Sequence, residues 1–457
     1  MKYIGIDLGS SFVKAVLMDL EQGKIVAQNK MATPAKEPYM NPNYFEIRVQ
    51  KLVRMVQQLI DGYTEEYPDI EGMIISTQMH GFVYSVPEKE DMYISWQDMR
   101  CMNKMHGQEK TYLQWMEEEI SPDEMKNHGV YFKPSLGVCN LYTLLDENPD
   151  LRRDGELYTL GSYVIYSLTG KNICHISNAA PLGMADVANH CWNKELLKFF
   201  HLENIHLPEL SENDYGICGY YKSNGCSLKV HPDYGDMQIA IMGSGICEGD
   251  VVVNVATGAQ VIRYDREFLP GEYEIRPYFE KSYLYTISNM PSGRNLDVLI
   301  QFMKETVHKI SGEEISAQNV WKTVHEAELC KDDDLRVETS FYRNPYFPDG
   351  GAIRGITHAN LHLETIFYAA FHDMAETYWH FIQQLGTDKE AIRRLVCAGG
   401  VNWKTPEIRQ MLSQISKKEC VLSPMADEAL AGMYQLSLVC SGICRDLEES
   451  RAFILKI

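Results

Sequence analysis

The sequence predicts an α/β protein of two or three domains. Its 457 residues are enough for more than one core. Runs of β-branched and apolar residues ending in glycine turns recur near residues 9, 258 and 399, and amphipathic stretches at helical spacing separate them. Two large domains would leave a cleft between them. With 45% hydrophobic and 23% charged residues, the composition is that of an ordinary globular protein without disordered linkers.

The opening stretch, "KYIGIDLGSSFVKAVLMD", reads as a β-hairpin with Asp7 inside its first apolar strand. An unpaired buried carboxylate is costly, so Asp7 either faces water or is compensated by a ligand. The turn at Gly9-Ser10-Ser11 offers close backbone approach, N–H groups and hydroxyls, all suited to phosphate oxygens. In "NYFEIRVQKLVRMVQQLI", Phe45, Val49, Leu52, Val53, Val56, Leu59 and Ile60 share one helical stripe, and Asn43 and Glu46 have the spacing of a capping box. "GMIISTQMHGFVYSV" predicts a strand, a turn at Gly81 and a second short strand, with "SWQDMRC" in a loop. Residues 103–200 are mostly helical by pattern, interrupted by a strand near Tyr158, and read as an insertion covering the sheet.

Strand patterns return with "MQIAIMG", "GDVVVNVATGAQVIRYD" and "KSYLYTIS". The second of these echoes the opening hairpin through its Thr257-Gly258 turn, which suggests a duplicated unit. Leu363 to Leu385 follow the spacing of a long amphipathic helix, and the nearby His358, His362, His372 and His380 lack a metal-binding pattern. "RRLVCAGGVNWKTPEIRQML" predicts a strand, a Gly399-Gly400 turn and a helix from Pro406, a junction that suits an anion. "SPMADEALAGMYQL" predicts a further helix, capped by Ser423 with Pro424 at its first position.

A formal net charge of −20 argues against nucleic-acid or anionic-membrane partners, and it means that an anionic substrate needs local cations or backbone donors. The N-terminus lacks the pattern of a signal peptide, and no apolar run reaches membrane-spanning length. Twelve scattered cysteines without a CxxC pair predict reduced core thiols and a cytoplasmic protein.

Taken in order, these motifs resemble the FGGY carbohydrate kinases, a family within the actin and hexokinase superfamily. "IGIDLGSSFVKAVL" is similar to the family's first phosphate motif, "YGDMQ" to its catalytic Gly-Asp segment and "NVATGAQV" to its second phosphate motif. "CAGGVNWKTPEIRQML" with "DEALAGM" is similar to its adenosine motif. The resemblance runs from residue 3 to about residue 435. "STQMHG" and "SWQDMRC" look most like the branch acting on xylulose and sedoheptulose.

The resemblance implies two RNase H-like (actin-like ATPase) domains, each a mixed five-stranded sheet flanked by helices, around a central cleft. Residues 1–245 and 246–457 would form them, joined through "GSGICEGD" near residues 243–251. It implies ATP and Mg²⁺, a small-molecule sugar as partner, and Asp236 as general base at the sugar's terminal hydroxyl. Asp7 would hold Mg²⁺. Ser10, Ser11, Thr257 and Gly258 would line the phosphates, and Gly399, Gly400 and Asn402 the adenosine end. Met79 and His80 match the sugar-binding pair, with Trp96, Asp98 and Arg100 as neighbours. A homodimer is left open.

Overall fold

The computed structural model describes residues 1–386 and 388–453. Its framework is two six-stranded sheets. The first runs Gly219–Ser223, Cys226–Gly235, Ile70–Thr77, Lys2–Leu8, Phe12–Asp19, Lys24–Ala32. The second runs Glu274–Pro277, Tyr283–Met290, Ala259–Asp265, Asp250–Val255, Arg394–Ala398, Glu419–Leu422.

Five strands of each sheet correspond. Lys2–Leu8 pairs antiparallel with its hairpin partner and parallel with Ile70–Thr77. Asp250–Val255 does the same with Ala259–Asp265 and Arg394–Ala398. The echo in the sequence is therefore a repeated topology. The five strands expected per sheet are present, but each sheet carries a sixth, added at opposite ends: Gly219–Ser223 in the first, Glu274–Pro277 in the second. The chain passes from one sheet to the other between Gly243 and Asp250.

Strand parity decides which residues meet the other half, because alternate side chains point to opposite faces. Ile4, Ile6 and Leu8 pack outward with the Val49–Glu66 helix, whereas Tyr3 joins the core between the sheets. Val251, Val253 and Val255 likewise face outward toward Leu363–Ile382, and Val252 faces inward. Asp7 and Asn254 share the inward parity.

Two helices fill the space between the sheets, Asp236–Gly243 and Glu428–Cys440. They cross at glycines: a Cβ on Gly432 would fall 1.9 Å from the Ile239 carbonyl oxygen, and one on Gly243 would fall 1.8 Å from that of Glu428. Residues of the 103–200 region build a separate core over a four-stranded sheet made by 46–48, 92–94, 82–85 and 156–159.

Three local expectations are corrected. "MQIAIMG" is helix, not strand; it is apolar nearly all round, so it has no period to separate the two. The strand before it is "CSLKVHPDYG". Asn43 and Glu46 do not form a capping box, because residues 46–48 pair as a strand and the helix starts at Val49 with Arg48 at its cap. Ser423 is not the cap of the last long helix: Asp427 is, accepting from the Leu430 N–H at 3.0 Å. The Ser423 hydroxyl instead donates to Glu428 at 2.8 Å.

Candidate active site

The first strand delivers Asp7 to the cleft. Its register partner across the hairpin is Lys14, whose Nζ lies 3.8 Å from the carboxylate. Burial raises the Asp7 pKa, Lys14 pulls it back, and Asp427 from the other half adds to the rise. Ser10 and Ser11 follow in an open turn, both exposed, closed by the Gly9 N–H donating to the Phe12 carbonyl.

Asp236 comes from the long strand Cys226–Gly235, at the first position of the helix that follows. There it is partly exposed to the cleft, and the Met237 N–H donates to its Oδ1 at 2.8 Å. A helix N-terminus favours a carboxylate's ionised form. Desolvation and, after it, the repulsion of Asp7 outweigh that, and raise its pKa to about 7. Two partly buried carboxylates, of which Asp7 is paired with Lys14, form a donor set that fits a hard divalent cation such as Mg²⁺.

Beside Asp236 the "QMHG" segment turns sharply. His80 takes a left-handed conformation, φ 71°, which a non-glycine residue adopts at a cost. Its Nδ1 is buried without a partner, and burial together with Lys133 holds its pKa well below the usual histidine range. Gly81 follows because a Cβ there would fall 2.3 Å from the Tyr93 hydroxyl. Met79 is buried against Gly235. Tyr93 and Gln238 leave a hydroxyl and a carbonyl oxygen buried and unpartnered near the same place.

Trp96 is 40% exposed. Asp98 and Arg100 lie behind it and are committed within the protein. Arg100 donates through Nε and Nη2 to Asp98, both at 2.9 Å, and through Nη2 to Glu46 at 2.5 Å. Asp98 also receives the Phe45 N–H at 2.7 Å, so the pair fastens the 43–48 segment beneath the tryptophan.

Thr257 and Gly258 occupy the equivalent exposed turn of the second half. The helix Gly293–Ser311 starts against it: the Gly293 N–H donates to Ala256 O at 3.1 Å and the Ser292 hydroxyl to Thr257 O at 2.5 Å. Thr257, Gly293 and Gly400 line one cavity of about 870 Å³, together with Arg294, Lys322 and Lys404 and an apolar wall at Trp321. These are the local cations that an anionic ligand of a −20 protein requires.

Gly399 takes φ 84°, and a Cβ on it would fall 2.5 Å from both Asn254 Oδ1 and Val255 O. Its N–H donates to Glu428 at 2.9 Å. Asn402 is fully buried behind the turn, and its amide donates to Val253 O and Ala398 O, both at 2.8 Å. It brackets the turn, in which Gly400 is exposed on the cavity whereas Gly399, expected to line the ligand, is buried with its N–H held by Glu428.

The structure thus brings together Asp7, Ser10, Ser11, Asp236 and His80 in one region and Thr257, Gly399 and Gly400 in another. Sequence reasoning passed over Lys14, which hairpin register would have found, Arg294 and Lys322, which lie on helices without a motif, and Lys404, which lies within a motif but was not singled out. It also passed over Glu274 and Arg276, which carry no motif at all.

The fold and this arrangement define a two-lobed protein with carboxylates on one side of a cleft and a cavity lined by Arg294, Lys322 and Lys404 on the other. The profile of the FGGY family of carbohydrate kinases, N-terminal domain, matches residues 2–232. The chain belongs to that family. Glycerol kinase of Thermococcus kodakarensis is 30% identical over 163 residues, which is 32% of this chain and 32% of that protein. The chain therefore matches about a third of the length of such curated relatives. Among solved structures, xylulose kinase from Rhodospirillum rubrum shares the fold at TM-score 0.83 and 15% identity, covering 99% of this chain and 92% of that one. Gluconate kinase from Lactobacillus acidophilus does so at TM-score 0.82 and 18% identity, with 99% and 92% covered. Among the described residues no helix is long and apolar enough to cross a membrane.

Proposed function

We propose that this protein transfers the γ-phosphoryl group of ATP to the terminal hydroxyl of a ketose of the xylulose or sedoheptulose type. The observation that supports it most is Asp236, a partly exposed carboxylate on the cleft whose pKa of about 7 suits a general base at neutral pH. Its carboxylate would take the proton of the attacking hydroxyl as the new P–O bond forms and the bond to ADP breaks. Lys14 and the hydroxyls of Ser10, Ser11 and Thr257 would stabilise charge on the transferring group. Asp7 would hold Mg²⁺, which when bound supplies charge neutralisation at the phosphates. Arg294, Lys322, Lys404 and the Gly399-Gly400 turn would receive the nucleotide, with Trp321 against its apolar part.

His80, Met79, Tyr93 and Gln238 would surround the sugar, with Trp96 at its mouth. The segments 1–245 and 246–457 would move as the two closing units. Gly245 and Gly249, with φ of 71° and 80°, would serve as the hinge. Twelve free thiols support a cytoplasmic setting.

A second reading, a glycerol kinase, is supported by the curated relatives that match the chain. A coupled ADP-release assay over D-xylulose, D-sedoheptulose, D-gluconate and glycerol separates the two. A higher kcat/KM for a ketose is the expected result, and a higher value for glycerol would overturn the ketose assignment. Flat background rates with every sugar would leave a sugar- or nucleotide-binding relative without activity.

A further inference from the structure

The sixth strand of the second sheet, Glu274–Pro277, has no counterpart at that end of the first sheet. It points at the pocket of the other half. Glu274 and Arg276 stand two residues apart and so project from the same face. Together with His80, Lys133 and Pro181 they line one small cavity. Lys133, from the first half, donates to Glu274 Oε1 at 2.5 Å, and Arg276 donates through Nη2 to Glu274 Oε2 at 2.8 Å. Burial alone would raise the Glu274 pKa, but the two cations hold it far below the usual carboxylate range.

Around this centre the halves are stitched together. The Ile275 N–H donates to Gly129 O at 2.9 Å, the Tyr131 hydroxyl to Gly271 O at 2.7 Å, and Lys126 to Glu272 at 2.5 Å. Gln238, on the helix that starts with Asp236, donates to Pro277 O at 3.1 Å. One donor of the cluster is left over: Arg276 Nε is buried and has no partner, as is His80 Nδ1 on the same cavity. A charged donor that is buried and idle calls for a partner, and a bound ligand can supply one.

We propose that Arg276 is a specificity-determining residue contributed by the second half, which donates its Nε–H to an oxygen of the sugar chain beside His80. Glu274 and Lys133 are positioning residues: Glu274 accepts from Nη2 of the guanidinium and Lys133, from the first half, donates to Glu274, so the arrangement is complete only when the halves are together. A sugar thereby gains a contact that exists only in the closed protein. This rests on the reading of the Asp236 cleft as a sugar site.

The test uses the full chain with the best sugar of the four-compound panel. Arg276→Met and Arg276→Lys should each raise the KM for sugar about tenfold to a hundredfold, with the KM for ATP within about twofold of wild type. Lysine gives no rescue because it has no donor at the Nε position. Lys133→Met should raise the sugar KM in the same direction by about threefold to tenfold. An unchanged sugar KM in a folded Arg276→Lys protein, or equal rises for sugar and ATP, would overturn the assignment. If wild type turns over none of the sugars, the kinase reading falls. Thermal-shift titration with the same four compounds then decides the inference alone: a shift present in wild type and lost in Arg276→Lys upholds it, and no shift, or one that survives the substitution, ends it.

Discussion

The two halves share five strands in one order, yet they put different side chains at corresponding places. At the inward-facing position just before the turn, the first half has Asp7 and the second has Asn254. After it, one turn offers two serine hydroxyls and the other a threonine and a glycine. At the end of the fifth strand, one half starts its inner helix with Asp236, and the other caps the matching helix with Asp427. A carboxylate next to Lys14 repels phosphate unless a cation intervenes, whereas a neutral amide braced against Gly399 leaves its neighbourhood free for anionic groups. The two halves share a frame, and under the proposed function single residues would divide the labour between proton and metal on one side and nucleotide on the other.

The largest test of that division is Asp236→Asn. It keeps the side chain's size but removes the base, so kcat should fall about 10²- to 10⁴-fold while the sugar KM changes little. Added Mg²⁺ should not restore it. Near-normal kcat in steady-state assays would break the comparison at its centre. Asp7→Asn makes the first half resemble the second. Its loss of kcat should be smaller than that of Asp236→Asn and should be partly recovered by raising Mg²⁺, because the weakened step is metal positioning.

The pH profile sharpens the same point. The raised pKa means that the native protein keeps the Asp236 proton up to about pH 7 and releases it above. The base form therefore appears as pH rises, and kcat should climb about tenfold per unit below pH 7 and level off above it. An alkaline decline across this range would contradict the role.

On the nucleotide side, Gly399→Ala should raise the KM for ATP several-fold and leave that for sugar unchanged. Any β-carbon there meets Asn254 and the Val255 backbone in a left-handed conformation, and the strain should lower stability by about 1–3 kcal/mol in chemical denaturation. The smallest effect is on stability at Asp236 itself. Burial disfavours its ionised form, so the stabilising protonated state is lost as pH rises through about 7. Asp236→Asn should thus be more stable than wild type by about 1 kcal/mol at pH 8, with the gain shrinking at pH 6. Equal gains at both pH values would show that the carboxylate is not strained there.

The sequence by itself determined the opening hairpin, the second hairpin at Thr257-Gly258 and the Gly399-Gly400 junction, because each carries a two-residue period or a glycine that the backbone demands. It also singled out Asp7 as a charge within an apolar strand, to be met either by water or by a ligand. It could not tell the helix after Gly235 from a strand, because a segment that is apolar nearly all round shows no periodicity, and that helix starts with Asp236. Nor could it show that Asp98 and Arg100 would bind each other and Glu46, since residue types alone do not say which partner is nearest. Only the tertiary structure decided that Arg294, Lys322 and Lys404 gather around one cavity, and that Glu274 and Arg276 reach across to Lys133 and His80. These juxtapositions join residues from tens to nearly two hundred positions apart, and they follow from strand order and the crossing of two helices at glycines, which no local pattern encodes.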